Sequence, residues 1–420
     1  MKIVVIGSGL IGVTSAYLLR LRGHDVTVLD RREGAGQEAS FANGALLTPS
    51  MAEPWNAPGA WRDLLTSVGH NNGAMQLRLH ALPALARWGV MFLRNSKSAK
   101  FQRNMLINLR MALYSRDCMR TLRDRTQIEY GRSARGSLRV FRSSAALDQA
   151  SLVASERVAW GLNPRRLSTA EAVELEPALM PIADQLVGAI HHEADEVGDA
   201  HRFCMALADC ARLCGVEFRF RTEVRSIDIR AGRVTAAVSE RERFGADCFI
   251  IAAGSYSSIL LRRTGVYLPV QPVKGYSITF DKPMHKASLT IPIVDDNLHV
   301  AVVPLGGAIR IAGTAEFAGY DCSIDPDRVR YLMTLLHGIL PQERFDPKAA
   351  RSWCGLRPVS ADGVPIICSS PVPNLYVNTG HGHLGWTMAA GSAQLLTDLI
   401  SGDPPSVDSA LFDLARFAAA

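Results

Sequence analysis

The chain predicts an α/β fold: a Rossmann-like domain, discontinuous in sequence, carrying a second α+β domain with an antiparallel sheet. Three observations predict it. Ile3 to Ile6 is apolar throughout, as a strand covered on both faces must be, and a glycine turn, helical periodicity over Val13 to Arg22 and a second apolar run, Val26 to Leu29, follow. This is a β-α-β unit, the start of a doubly wound sheet. Far downstream, Val266 to Ile311 reads as several antiparallel strands. At 420 residues the chain exceeds the size at which one core stops growing, so two domains are expected.

The remaining elements follow in order. From Glu53 to Arg132 the pattern changes to long, basic, amphipathic helices with few turn signals, assigned to the second domain. Gly198-Asp199 caps a helix that ends at Cys214-Gly215, and strands follow across Glu217 to Ile229 and Arg233 to Ser239. Cys248 to Ala252 is another buried strand, and Leu375 to Ile400 is a strand, a glycine-rich turn and a helix. The nucleotide-binding domain is therefore expected from 1–50, 195–265 and 350–420, and the second domain from 51–194 and 266–349.

With 48% hydrophobic and 20% charged residues the chain is an ordinary globular protein, neither disordered nor fibrous. Its net charge of +6 is uneven: Arg78 to Arg135 holds thirteen Lys or Arg against Asp117, Asp124 and Glu129. A basic surface suits anionic lipid or an acidic partner, but no DNA-reading motif or aromatic stacking platform accompanies it, so nucleic acid is not expected. The apolar run from Leu79 to Leu93 is interrupted by His80 and Arg87 and is too short to span a bilayer; at most it lies on one, through Trp88, Met91, Phe92 and Leu93. The eight cysteines form no C-x-x-C pair and read as reduced core residues. The start runs directly into the glycine turn without a cleavage site, so a cytoplasmic setting is expected, with peripheral contact at the cytoplasmic face of an inner membrane left open.

Gly7-x-Gly9-x-x-Gly12 lies between the first strand and first helix, and Asp30 ends the second strand. Gly7 permits the tight turn, Gly9 lets backbone approach a pyrophosphate at the helix N-terminus, and Gly12 allows helix and strand to pack closely. Asp30 would accept hydrogen bonds from an adenosine ribose. The fingerprint alone does not separate FAD from NAD, and Arg31 and Arg32 would suit a 2′-phosphate. Three further stretches favour a long, embedded cofactor: Ser40-Phe41-Ala42-Asn43-Gly44; Ile250 to Gly254, a buried strand ending at Ala253 and Gly254; and Asn378-Thr379-Gly380-His381-Gly382-His383-Leu384-Gly385-Trp386, a glycine-rich turn whose amides suit a flavin carbonyl. The run His191-His192-Glu193-Ala194-Asp195-Glu196 has metal-ligand chemistry but no helical i, i+4 histidine pair, so a solvated turn is expected and no metal.

These blocks, with Val270-Gln271-Pro272-Val273-Lys274-Gly275-Tyr276, Gly355-Leu356-Arg357-Pro358 and Asp362-Gly363-x-Pro365, resemble the D-amino acid oxidase superfamily of flavoproteins along nearly the whole chain, in particular the bacterial D-amino acid dehydrogenases. The resemblance implies FAD, bound without a covalent bond because Gly355 stands where some sarcosine-oxidising relatives carry a cysteine, with Cys354 beside it. It implies a cofactor site from Gly7, Ser8, Gly9, Leu10, Ile11, Gly12, Asp30, Arg31, Ser40, Ala42, Asn43, Gly44, Val224, Ala253, Gly254, Gly380, Gly382, Leu384, Gly385, Trp386 and Thr387.

Arg357 matches the arginine that grips a substrate carboxylate in the superfamily, and a guanidinium is a bidentate partner for that group. Lys274 and His383 fall where relatives place further polar groups, and Tyr276 and Tyr256 are candidate lids or hydroxyl donors. The implied activity is oxidation of D-amino acids to 2-oxo acids and ammonia, with a quinone or other carrier as electron acceptor. Two alternatives stay open: an oxidase of glycine, sarcosine or D-proline, and a flavin-carrying subunit of a hetero-oligomer.

Overall fold

The computed structural model describes residues 1–59, 73–281 and 289–418, so parts of the expected helical stretch after Glu53 and of the strands after Val266 lie outside the described residues. A six-stranded sheet forms the first layer, in the order Ile366–Ser369, Leu375–Thr379, Cys248–Ile251, Lys2–Ile6, Asp25–Leu29 and Glu217–Arg219. All its pairs are parallel except the first. Buried on both faces, its central strands Lys2–Ile6 and Cys248–Ile251 are nearly continuous in Val, Ile, Phe and Cys, which is why they are legible as apolar runs. Helices Leu10–Leu21, Ala200–Leu213 and Ala389–Ser401 cover one face. Asp199 caps the second of these as expected, accepting from the amides of His201 and Arg202 at 2.9 and 3.0 Å.

The second layer is a nine-stranded, mainly antiparallel sheet. Its core is the ladder of Arg351–Ser360 against Val270–Phe280 and of the latter against Ala308–Phe317, continuing through Val300–Leu305, Ile293–Asp295, Ser137–Phe141, Gly188–His192 and Pro164–Leu167. Met75–Leu77 joins Ala315 to Phe317 in parallel, a strand that the helical reading of that stretch overlooked. Helix Pro326–Ile339 packs on the far face.

Two domain boundaries move. Strand Arg351–Ser360 pairs with Val270–Phe280 over ten residues and so belongs to the second sheet. Helix Ser98–Thr126 belongs with the nucleotide-binding domain, because its buried Ile107, Met111, Met119 and Leu122 share a core with the helices of the six-stranded sheet. It meets helix Ala389–Ser401 at Gly391, whose amide donates to Ser115 Oγ at 3.0 Å.

Three local expectations also change. His191 and His192 end a strand and are buried with Asp195, so the solvated turn is confined to Glu193 and Ala194. Trp88, Met91 and Phe92 are core residues on the inner face of helix Leu82–Asn95, leaving Leu93 outward. Of the cysteines only Cys204, Cys248 and Cys368 are buried, and all eight are free.

The Gly391 contact gives a stability test. A Cβ at Gly391 would stand 2.8 Å from both Ser115 Cα and Cβ, whereas a Cβ at Gly89 on helix Leu82–Asn95 meets nothing within 4 Å. Gly391→Val should therefore cost on the order of 1 to 3 kcal/mol by forcing two helices apart. Gly89→Ala should be neutral or stabilising by up to about 1 kcal/mol through helix propensity. Thermal unfolding of the flavin-loaded protein separates the two, and equal melting temperatures would show that the two helices are not in close contact at Gly391.

Candidate active site

The two sheets enclose a cavity of about 1610 Å³, larger than the roughly 300 to 1,000 Å³ of ordinary ligand pockets. It runs from the glycine fingerprint and Asp30 to Arg357 and His383.

At the fingerprint end, Gly7 has φ +108°, and a Cβ on Gly12 would lie 1.9 Å from the Gly7 oxygen, so neither position tolerates a side chain. Gly9, Leu10 and Ile11 line the cavity with the N-terminus of helix Leu10–Leu21, which favours an anionic group there. Ser40 Oγ accepts from the Leu10 amide at 3.2 Å and sets the adjoining wall. Asp30 lines the cavity; its Oδ2 accepts from both the amide and hydroxyl of Ser8 at 2.6 Å, so Ser8, itself buried, orients Asp30. Arg31 and Arg32 both donate to Glu38 Oε1, and Arg31 also lies 3.8 Å over the Tyr256 ring. With both guanidiniums engaged by Glu38, a 2′-phosphate is disfavoured. Tyr256 stands at this nucleotide end, away from the substrate lid expected of it.

Asn43, Gly44, Val224, Ala253, Gly254, Gly382, Gly385 and Trp386 also line the cavity. Ala42, Gly380, Leu384 and Thr387 do not; they hold the wall from behind. Ala42 accepts through its carbonyl from Ser277 Oγ at 2.6 Å, and Thr387 Oγ1 accepts from the Thr48 amide at 3.0 Å. Leu384 is core, and Gly380 turns the chain at φ +83°. Glycine turn, helix N-terminus, carboxylate and cavity size together fit a flavin dinucleotide. Among the described residues no cysteine lines the cavity, and Cys354 points the other way, its Sγ 3.0 Å from the Cys322 carbonyl.

At the other end stands Arg357. It pairs with Val273, and its guanidinium lies flat across Gly275, where a Cβ would come within 1.7 Å of Nη1. Nη1 donates to the Thr314 carbonyl at 3.1 Å, and no carboxylate pairs with the guanidinium among the described residues. Burial lowers its pKa to about 10, which leaves it charged at neutral pH. His383 lies beside it, pulled down to about 4 by burial and hence neutral; its Nε2 is 3.2 Å from the Met51 carbonyl, and its ring stacks on Trp55 at 5.4 Å. Trp55 and Met51, unmarked by any sequence signal, complete this wall with Met75.

Lys274 and Tyr276 do not join the site. Successive strand residues face opposite sides, and Val273 and Gly275 share the Arg357 face. Lys274 instead meets Asp321 at 3.1 Å, and Tyr276 donates to Glu316 at 2.7 Å, both behind the sheet.

Segment 50–55 rests on a buried polar cluster. Asp195 Oδ2 accepts from Ser50 Oγ and Ser137 Oγ, each at 2.6 Å, and Arg157 pairs with Glu53 and donates to the Ser50 carbonyl.

Residues 2–399 match the FAD dependent oxidoreductase family, and the chain belongs to it. Its relatives include a D-amino acid dehydrogenase of Paramagnetospirillum magneticum, 40% identical over 99% of both chains, and one of Granulibacter bethesdensis, 38% identical over the whole of both. Among solved structures, glycine oxidase from Geobacillus kaustophilus superimposes with a TM-score of 0.77 at 22% identity over 99% of both chains. L-proline dehydrogenase from P. horikoshii gives 0.77 at 18% over 100% of this chain and 98% of its own.

Two outcomes are expected. The purified protein should be yellow and release FAD on acid precipitation; a flavin left covalently on the polypeptide would contradict the orientation of Cys354. The second concerns Asp195, which burial pushes up to about 6 against the pull of two serine hydroxyls and an amide. The folded state keeps this proton after the unfolded chain has lost it. Stability from this group therefore falls as pH rises from about 4 to 6, by on the order of 3 kcal/mol, and is level above that. Asp195→Asn stays neutral, so the difference in melting temperature between variant and parent should grow over that window; a constant difference from pH 4 to 7 would show that Asp195 titrates normally.

Proposed function

We propose that this chain is an FAD-dependent D-amino acid dehydrogenase that converts D-amino acids to 2-oxo acids and ammonia. One observation carries the reading: a charged, half-buried guanidinium with no carboxylate partner among the described residues lines the flavin cavity. Such a charge is costly to bury alone, and a substrate carboxylate would complete it as a bidentate pair. When bound, FAD supplies the two-electron acceptor for the hydride leaving the α-carbon. Arg357 then anchors the carboxylate, while Trp55, Met51 and Met75 exclude water and favour the neutral amine by desolvation. Departure of the α-hydrogen from the neutral amine leaves an iminium, which water hydrolyses to the 2-oxo acid and ammonium. Neutral His383 holds the Met51 wall through its hydrogen bond and needs no proton transfer of its own.

The D-specific reading is supported by relatives named D-amino acid dehydrogenase at 36 to 40% identity, whereas the fold itself is shared with L-proline dehydrogenase and glycine oxidase. We further infer that electrons pass to a quinone or other carrier and that the chain works in the cytoplasm, in peripheral contact with the inner membrane. Among the described residues no helix is long and apolar enough to cross a bilayer.

Arg357→Met should leave FAD bound while lowering kcat/KM for every D-amino acid by roughly 30-fold to a few thousand-fold, the cost of removing one partner of a desolvated charge pair. Lysine at 357 should recover part, since an ammonium lacks the planar fork. Dye-linked assays with D- and L-enantiomers and with glycine and sarcosine read both the clamp and the substrate class. Parental kcat/KM in Arg357→Met would move the carboxylate site elsewhere, and equal rates with L-amino acids would end the D-specific reading.

A further inference from the structure

Helix Leu82–Asn95 is apolar on both sides. Its inner face places Leu85, Trp88, Met91 and Phe92 against Val273, Phe317 and Val359, and Trp88 Nε1 donates to the Val359 carbonyl at 3.1 Å. Its outer face continues Leu79 through Leu82, Val90 and Leu93, which are 65, 43, 53 and 44% exposed. Those positions, with exposed Ala86, follow the spacing of a single helical stripe. A surface helix of a protein bathed in water ordinarily turns a polar face outward, so this stripe has an apolar surface to cover.

The surrounding charge says what covers it. No Asp or Glu occurs from residue 64 to 116, while Arg87, Arg94, Lys97 and Lys100 stand exposed beside the stripe. Arg94, Lys97 and Lys100 have no ion-pair partner among the described residues, and Arg87 lies over the Tyr267 ring at 3.5 Å. An apolar stripe edged by cations matches a leaflet that presents phosphate headgroups above acyl chains.

We propose that the face formed by Leu79, Leu82, Val90 and Leu93, rimmed by Arg94, Lys97 and Lys100, docks on an anionic lipid bilayer. The docking helix is tied to the catalytic layer at two points. Val359 lies two residues beyond Arg357 on one strand, and strand Met75–Leu77, which ends two residues before Leu79, contributes Met75 to the cavity. Docking therefore sets the cavity beside the bilayer, where an acceptor dissolved in lipid reaches it; that last step rests on the dehydrogenase reading, and the docking itself does not.

The test is flotation of the flavin-loaded protein with vesicles of phosphatidylcholine alone and of phosphatidylcholine mixed with phosphatidylglycerol. Binding should require the anionic lipid and weaken with added salt. The triple variant Leu79→Gln, Val90→Gln, Leu93→Gln should partition at least about tenfold less. The pair Lys97→Gln, Lys100→Gln should lower partitioning roughly 30-fold. Both should keep parental activity with a soluble dye and D-amino acid, which shows that they fold. Equal partitioning of parent and both variants, absence of vesicle binding at low salt, stronger competition by DNA than by anionic vesicles, or a dimer in solution lost with the same substitutions would each overturn the proposal.

Discussion

The Arg357 end of the cavity depends on one guanidinium lying across a glycine. Arg357 and Gly275 occupy adjacent strands, and only the missing side chain at Gly275 lets the arginine fold down onto the sheet and reach the Thr314 carbonyl. Strand pairing over ten residues fixes that geometry from both sides. Among the described residues the charge is thus held by backbone and not by a salt bridge, and the residue lines the cavity. A carboxylate partner from the protein would have stabilised the fold more and left the site unable to take an anion.

The nucleotide end works by the opposite principle. Its cations are satisfied internally, with one oxygen of Glu38 engaging Arg31 and Arg32, and it is lined by a carboxylate, a helix terminus and close backbone. Between the two ends, Ser40 to Ala45 is the seam. Ser40 meets the first helix, the Ala42 carbonyl meets Ser277, and the Asn43 carbonyl accepts from buried Arg310 of the second sheet at 3.1 Å. The two layers are therefore joined along the wall of the cavity.

What was legible in the sequence was whatever is encoded over short distances. Gly7, Gly9, Gly12 and Asp30 announce themselves because turn, helix and strand end lie within a single β-α-β unit, and Asp199 because a cap acts within three residues. Arg357 was legible through a motif. Lys274 and Tyr276 were misplaced because the side of a strand that faces the cavity is set by register with a partner some eighty residues away. Helix Ser98–Thr126 was given to the wrong domain for a similar reason: its basic face is visible locally, whereas its buried face is completed by residues near 390. Trp55 carries no signal, since a lone tryptophan among prolines acquires meaning only when His383 stacks against it. The Asp362-Gly363 motif anchors one turn to a helix, since Asn104 and Asn108 bond to its carbonyls, and Asn108 also holds the carbonyl of Ala52.

The cavity between the layers has a consequence for the life of the protein in the cell. The cavity is lined by residues of both sheets, so FAD bound there would contact both layers. A ligand that binds only the folded state adds to its stability in proportion to the logarithm of ligand concentration over dissociation constant. With no cysteine among the described residues facing the cavity to tether the flavin, that contribution rises and falls with supply. A flavin-loaded chain would then melt higher as free FAD is raised, by the same logarithmic rule.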